Sequence, residues 1–308
     1  MKPRECIVAA TDLSAPARHA VKRAVRLAAR TRGELHVLHA LELDALDSLR
    51  DLLGADLSAT KAALEAEARQ RLERLVADHA RHPDTAALAR IVTGAPLAVL
   101  AREIEALDAG LVVLGARGDS FLRHATLGST AARLLRKAVR CPVLVVKQVP
   151  HDDYRTVLVA VDFSPAAALA IRAARRWAPG AELVLLHAFE LPFEGKLSFA
   201  GVDERTIRRY VRSGVETRRD QLHALARSAG LKSADYSARV VRGDPAQQII
   251  AMEQEYDVDL IAVGKHGTHL AEEMLLGSVT KHVLAEAQGD VMVVVDSRVA
   301  QDAQVPAA

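Results

Sequence analysis

The sequence predicts an α/β protein made of two tandem domains, each a doubly wound sheet of five parallel strands. Three observations lead to this prediction. The chain has 308 residues, and at about 150 residues per domain this length favours two domains. Short apolar runs alternate with helical patterns, which is typical of βα units. The same blocks of sequence also occur twice, in the same order.

The repeat has an offset of about 149 residues. It is far too long for a solenoid unit and therefore indicates a duplicated domain. The matched pairs include CIVAATDLS (6–14) with TVLVAVDFS (156–164), GLVVLGARG (110–118) with DLIAVGKHG (259–267), and CPVLVV (141–146) with DVMVVV (290–295).

The join between the copies is expected in the short polar segment QVPHDD, residues 148–153, where a proline interrupts regular structure. We therefore predict one domain over residues 1–149 and a second over 150–298. Residues 299–308 are expected to form a flexible tail.

The strands are predicted from continuous apolar runs, as expected where helices cover both faces of a parallel sheet. Ser14, and Ser164 followed by Pro165, are predicted to begin helices. Charges at three- and four-residue spacing over 57–80 and 203–229 indicate long helices with a solvated face. The predicted strands are about 5–11, 34–40, 87–92, 110–115 and 142–147, then 155–161, 182–188, 235–241, 258–264 and 290–295.

Composition excludes several classes of protein. A net charge of +2 with only 3% aromatic residues argues against a nucleic-acid surface. No apolar run approaches the roughly 20 residues that span a bilayer, and the apolar stretch near the amino terminus is too short for a secretory signal. The two cysteines, Cys6 and Cys141, lie in apolar strand-like segments and predict neither a disulfide framework nor a metal site. A soluble cytoplasmic protein is therefore expected.

A glycine pattern, G-x2-G-x9-G-S, follows the fourth predicted strand of each copy, at 115–129 and at 264–278. Glycines let backbone amides approach a ligand closely, and the closing Gly-Ser pair begins a predicted helix. The free N–H groups and positive dipole at a helix start favour a phosphate. Asp12 and Asp162 end the first strand of each copy, where ligands of open α/β sheets bind. A single such glycine pair would most simply be a structural turn, but two copies with identical spacing favour a phosphate site.

These glycine patterns, the strand-end aspartates and the closing CPVLVV strand resemble the universal stress protein family, and the resemblance covers nearly all of residues 1–296. It implies a strand order of 3-2-1-4-5, a Rossmann-like fold related to the adenine nucleotide alpha hydrolases, and ATP binding. Family members commonly pair through the last strand, so the resemblance also implies pairing of the two domains within one chain and a homodimer.

The resemblance further implies which residues contact the adenine nucleotide in each domain. In the first they are Ala10, Thr11, Asp12, Ala40, Gly115, Arg117, Gly118, Gly128, Ser129 and Thr130. In the second they are Val161, Asp162, Ala188, Gly264, His266, Gly267, Gly277, Ser278 and Val279. Val161 replaces the hydroxyl-bearing Thr11, and the loop of the second domain carries Glu272 and Glu273 where that of the first carries Arg117, Arg123 and His124. We therefore expect the first site to bind triphosphate at least as tightly as the second.

Three functions stay open. The first is a stress-response regulator in which ATP, with Mg²⁺, tunes conformation, assembly or the binding of a protein partner. The second is an interaction or scaffold protein that uses no nucleotide. The third is a slow Mg²⁺-dependent ATPase or autophosphorylating protein. The sequence contains no Walker loop, no G-x-G-x-x-G fingerprint and no positioned general base, so we assign no catalytic residue and no metal ligand.

Overall fold

The computed structural model describes residues 5–43, 57–79, 87–116, 127–137, 139–190, 203–267 and 276–295. The chain divides into two compact units between Asp153 and Tyr154. The expected tail, 299–308, lies outside the described residues.

The first unit alternates strands with helices along the chain. Its described strands are β1 (Cys6–Ala10), β2 (Glu34–Leu41), β3 (Ala87–Thr93), β4 (Leu111–Gly115) and β5 (Val143–Val146). Its described helices are α1 (Ala15–Thr31), α2 (Ser58–His79), α3 (Pro96–Ala106) and α4 (Ser129–Arg136).

The second unit repeats this order. Its described strands are β6 (Thr156–Ala160), β7 (Glu182–Phe189), β8 (Tyr236–Arg242), β9 (Leu260–Gly264) and β10 (Asp290–Val294). Its described helices are α5 (Pro165–Trp177), α6 (Glu204–Ser228), α7 (Pro245–Glu255) and α8 (Ser278–Glu286). Each predicted strand is present, with ends that differ from the prediction by one or two residues.

Both sheets are parallel and have the predicted strand order. The first runs β3-β2-β1-β4-β5 and the second runs β8-β7-β6-β9-β10. Ile7 of β1 lies beside Leu35 of β2 on one side and Leu111 of β4 on the other. The order reverses between β1 and β4, and between β6 and β9, so a crevice forms beyond the carboxyl ends of these strands. The α/β fold class is thus confirmed.

The core lies on both faces of each sheet, because helices cover both. Strands β4 and β9 are buried along their first four residues. The helices that follow the first strands, α1 and α5, pack through alanines such as Ala20, Ala24 and Ala170, which are inaccessible to solvent. Side chains this small let a helix approach the sheet closely, which fixes where the strand-end loops emerge.

The two serines predicted to begin helices both occupy the N-cap position, but only one caps through its side chain. The hydroxyl of Ser14 accepts from the backbone N–H of Ala17 at 3.4 Å. Ser164 instead donates its hydroxyl to Asp162 Oδ1 at 2.6 Å. The prediction that Ser164 and Pro165 begin a helix is confirmed, and the hydroxyl of this N-cap residue bonds the neighbouring carboxylate instead of a helix N–H.

Helices α2 and α6 have the solvated faces that the charge spacing predicts. Glu65, Arg69 and Glu73 are all exposed. On α6, the buried side chains are Leu222 and Ala226, so most of this 25-residue helix faces solvent. Within the described residues, no helix is both long enough and apolar enough to cross a membrane.

Candidate functional site

The first strand of each unit ends in a tight turn built around an aspartate. The carboxylate of Asp12 accepts from the backbone N–H of Ser14 at 3.0 Å, and Asp162 accepts from Ser164 at the same distance. Side-chain hydrogen bonds of this kind, to a backbone two residues later, define Asx turns. Both aspartates are therefore held at the carboxyl end of the sheet, as predicted.

The residue after each aspartate has a left-handed backbone. Leu13 has φ of 66° and Phe163 has φ of 62°, a conformation that is uncommon for bulky side chains. Such a strained backbone conformation persists where the surrounding structure enforces it, often beside a binding site. Its presence at the same position in both copies shows that the turn geometry is common to both units.

A histidine from the second strand supports each turn. The Nδ1 of His39 bonds the carbonyl oxygen of Thr11 at 2.9 Å, and His187 makes the same bond to Val161 at 2.7 Å. A carbonyl can only accept, so Nδ1 carries the proton in both. Burial lowers the pKa of His187, and nearby Arg218 lowers it further, although the bond to Val161 acts in the opposite direction. Both imidazoles therefore have a hydrogen-bonded structural role.

The glycine loops return to their strand ends through one backbone hydrogen bond in each unit. The N–H of Gly277 donates to the carbonyl of Lys265 at 3.0 Å, and the N–H of Gly128 donates to the carbonyl of Ala116 at 2.7 Å. Gly277 and Gly128 are the N-cap residues of α8 and α4. The free N–H groups of both helix starts thus lie beside the carboxyl edge of the sheet.

A cavity of about 380 Å³ opens at this edge in the second unit. Pockets of this size hold small ligands. The structure brings together all nine residues predicted for the second site, because each of them lines this cavity. They are Val161, Asp162, Ala188, Gly264, His266, Gly267, Gly277, Ser278 and Val279.

Sequence reasoning missed six further lining residues: Ala160, Leu186, Pro245, Ile249, Val263 and Thr280. Three of them, Ala160, Leu186 and Val263, lie in strands, where apolar residues are ordinarily core. Pro245 and Ile249 have a visible signal, since the turn Gly243-Asp244-Pro245 starts helix α7 at this edge. Residues four apart on a helix share a face, so Pro245 could have pointed to Ile249.

At two glycines of the cavity, neighbouring atoms lie so close to the backbone that a Cβ would be crowded. A Cβ built on Gly264 would lie 3.0 Å from the Cβ of Ala166 in helix α5. A Cβ on Gly267 would lie 3.0 Å from Asp162 Oδ2. The first glycine lets α5 pack against the strand end, and the second leaves the aspartate carboxylate beside the loop.

In the first unit, the described part of the predicted site has the same arrangement. Thr11 is buried, and its hydroxyl accepts from the N–H of Leu13 at 3.0 Å. This hydroxyl therefore stabilises the strained turn, a bond that Val161 cannot make in the second unit. Arg117 and Gly118 lie outside the described residues. Ala10 ends β1, Asp12 follows it, Ala40 lies in β2, Gly115 ends β4, Gly128 caps α4, and Ser129 and Thr130 begin that helix.

The titratable groups on the cavity wall are Asp162 and His266. Among the described residues, no group of three or more His, Cys, Asp or Glu is placed to hold a metal ion. Burial raises the pKa of Cys6 to about 11 and that of Cys141 to about 12. Both thiols therefore stay protonated at neutral pH and are poor nucleophiles.

Comparison with known proteins identifies relatives of both copies. The model of the universal stress protein family matches the chain twice, over residues 4–147 and 153–295. A universal stress protein of Mycobacterium tuberculosis is 32% identical over 214 residues, which are 64% of this chain and 61% of that protein. One of Mycolicibacterium smegmatis is 34% identical over 200 residues, 61% of this chain and 62% of the relative. The chain therefore spans about three fifths of the length of these curated relatives.

Solved structures agree on the fold. A universal stress protein from Archaeoglobus fulgidus has a TM-score of 0.61 at 21% identity, covering 94% of this chain and 97% of its own. A putative universal stress protein from Pseudomonas aeruginosa has a TM-score of 0.60 at 21% identity, covering 97% and 96%. At this identity the likeness shows the fold alone. Since the family model matches nearly the whole chain in two copies, the chain belongs to the universal stress protein family as a tandem, two-domain member.

Proposed function

We propose that this protein is a stress-response regulator that binds an adenine nucleotide, ATP with Mg²⁺, at the carboxyl edge of each sheet. The observation that carries the proposal is the cavity of about 380 Å³ beside the start of helix α8. Nucleotide occupancy would tune the conformation of the protein, its assembly as a homodimer, or its affinity for a protein partner in the cytoplasm.

The phosphates would lie at the helix starts. Gly277 and Ser278 line the cavity where α8 begins, and the first N–H groups of a helix have no partner within the helix. Together with the positive end of the helix dipole, these groups favour an anion. The exposed hydroxyl of Ser278 offers a further donor. Gly128 and Ser129 would act in the same way in the first domain.

The apolar part of the cavity lining suits the face of an aromatic ring. Leu186, Ile249 and Val263 line it, and these side chains offer apolar contacts but no side-chain hydrogen bonds. A pocket with a mostly apolar wall and a few placed polar groups is the usual design of a small-molecule site. One molecule with a flat aromatic ring and a phosphate chain, such as ATP, would use both the apolar residues and the helix start.

The divalent cation would arrive with the nucleotide. Mg²⁺ usually keeps several waters and takes one or two carboxylates together with the ligand's phosphates. Asp162 is the carboxylate on the cavity wall, and its Oδ1 already accepts two hydrogen bonds from Ser164. Asp162 Oδ2, which lies beside Gly267, is the oxygen that would face the ion.

The site favours binding over rapid hydrolysis. A general base must lie within hydrogen-bond reach of the attacking water and have a suitable pKa. Asp162 is bound to Ser164 through one oxygen and would meet the cation through the other. A site that binds ground state and transition state alike does not accelerate the reaction. We therefore expect occupancy, and not turnover, to be the regulatory signal.

Titration calorimetry with Mg²⁺ and ATP tests the proposal. Ser129→Glu and Ser278→Glu place a negative charge where the phosphates would bind, while an acidic residue at a helix start stabilises the helix. We expect a stoichiometry near two in the unchanged protein, near one in each variant and none in the double variant. Ser213→Glu, at an exposed position of α6, introduces the same charge away from the cavity and should leave binding unchanged.

Absence of heat and of competition by a labelled nucleotide would contradict the proposal, provided that acid extraction releases no co-purified nucleotide. The interaction-protein function would then be favoured. Phosphate release that depends on Mg²⁺ and disappears in Asp162→Asn would instead support the slow ATPase.

A further inference from the structure

Thr280 makes a hydrogen bond that has no counterpart in the first domain. Its side chain is only 2% exposed, and its hydroxyl donates to the carbonyl oxygen of Gly264 at 2.7 Å. The repeat places Ala131, also buried, at the matching position of α4. A methyl group cannot make this bond, so the two domains differ here by one side-chain hydrogen bond.

The bond joins the two parts of the cavity that would hold phosphates. Gly264 is the last residue of β9, from which the glycine loop leaves, whereas Thr280 is the third residue of α8. The backbone bond from Gly277 to Lys265, at 3.0 Å, joins the same two elements nearby. The second domain therefore has both connections between loop and helix start. The first keeps the backbone connection, from Gly128 to Ala116.

The hydroxyl of Thr280 cannot serve a nucleotide as a donor while this bond exists. A threonine hydroxyl has one proton, and the Gly264 carbonyl takes it. Although Thr280 lines the cavity, any effect of its hydroxyl on a phosphate must therefore pass through the position of the loop relative to the helix start.

We infer that Thr280 is a positioning residue, which fixes the Gly264–Gly267 loop against the start of α8 and thereby tightens nucleotide binding in the second domain. Holding a site in its bound geometry lowers the cost of ordering it on binding. The inference rests on the proposed function, because it concerns the affinity of that same site. It also predicts that the missing bond can be added to the first domain.

The first test isolates the second site in a Ser129→Glu background. Thr280→Val keeps the shape of the side chain and removes the hydroxyl, whereas Thr280→Ser keeps the hydroxyl. We expect Thr280→Val to raise the Kd for ATP with Mg²⁺ by about three- to tenfold, which corresponds to the net free energy that one hydrogen bond contributes. Thr280→Ser should restore the Kd to within about twofold on the same reasoning. The Kd for adenosine, which has no phosphates, should change much less.

The second test adds the bond to the first site in a Ser278→Glu background. Ala131→Thr introduces the hydroxyl, and Ala131→Val introduces the same volume without it. We expect the threonine variant to bind ATP several-fold more tightly than the valine variant, since only the hydroxyl can reach the Gly115 carbonyl. This comparison stands even if Thr280→Val fails to fold, and thermal unfolding of each variant identifies that case.

Different results would overturn the inference about Thr280 and the proposed function. If the Ser129→Glu protein binds ATP and Thr280→Val binds it equally well, the inference is overturned and the proposed function stands. Equal losses for ATP and adenosine would also overturn it, because they indicate a general structural defect. If the unsubstituted protein binds no nucleotide, the proposed function fails and the inference fails with it.

Discussion

Gly267 and Gly289 show how the surroundings of a single residue decide what a substitution does. A Cβ on Gly267 would meet the end of a side chain, Asp162 Oδ2, at 3.0 Å. A Cβ on Gly289 would meet backbone, the carbonyl oxygen of Val258 at 2.9 Å. A side chain can rotate away, whereas a backbone carbonyl can move only with the chain around it.

We therefore expect Gly267→Ala to change the free energy of unfolding by less than about 1 kcal/mol, yet to weaken ATP binding by displacing the aspartate. Gly289→Ala should lower the free energy of unfolding by about 1–3 kcal/mol, as overpacking does. Urea unfolding and calorimetry on the two variants check this pair. Equal destabilisation by both substitutions would contradict the distinction between side-chain and backbone neighbours.

His187 makes the stability of the second domain depend on pH. Burial holds the pKa of His187 below its ordinary value of 6.5, so the folded protein excludes a proton that the unfolded chain accepts. Excluding this proton lowers the free energy of unfolding little above about pH 6.5. The loss grows as the pH falls from there toward the pKa of His187 in the folded protein. A neutral replacement, His187→Gln, removes this proton linkage.

Unfolding by urea at pH 7.5 and at pH 5.8 measures the effect. We expect the unsubstituted protein to lose more stability between these values than His187→Gln does. His151→Gln, at an exposed histidine, is the matched control and should behave like the unsubstituted protein. A pH dependence unchanged by the loss of His187 would show that other groups cause it.

At the scale of elements, the start of helix α7 matters because Pro245 and Ile249 reach the cavity from it. Asp244 caps this helix by accepting from the N–H of Gln247 at 2.9 Å. The equivalent helix of the first domain, α3, has Ala95 at its N-cap and no side-chain cap. The same Gly-x-Pro turn thus starts one capped and one uncapped helix.

The reciprocal substitutions should have opposite effects. Asp244→Ala is expected to destabilise the protein by about 1 kcal/mol, and Ala95→Asp to stabilise it by a similar amount. Thermal and urea unfolding provide the measurement. A neutral result for Ala95→Asp would mean that the turn after Gly94 does not let a carboxylate reach the free N–H groups of α3.

At the scale of the whole molecule, nucleotide binding should appear as added stability. A ligand that binds only the folded state stabilises it by about 2.7 kcal/mol at a concentration 100 times its Kd. We expect ATP with Mg²⁺ to raise the unfolding temperature of the unsubstituted protein. The Ser129→Glu, Ser278→Glu double variant should show no such rise, which separates specific binding from a general effect of the salt.

The sequence determined the fold almost completely, since buried parallel strands are continuous apolar runs and the duplication shows each strand twice. The runs VLVV and VMVV mark β5 and β10 because strands covered by helices on both faces bury mostly apolar side chains. The resemblance to the universal stress protein family, which rests on the glycine patterns and strand-end aspartates, likewise implied nine residues that line one cavity. That they bind a nucleotide stays a prediction.

Tertiary structure decided what depends on contacts between distant elements. It brought Leu186 of β7 and Ile249 of α7 to the wall of one cavity. It also paired Thr280 with Gly264, sixteen residues apart. The pattern of apolar runs in the sequence specifies which faces of the strands and helices are buried. The acceptor of a hydroxyl depends on the distances between atoms in the folded protein, and no sequence pattern encodes those distances directly.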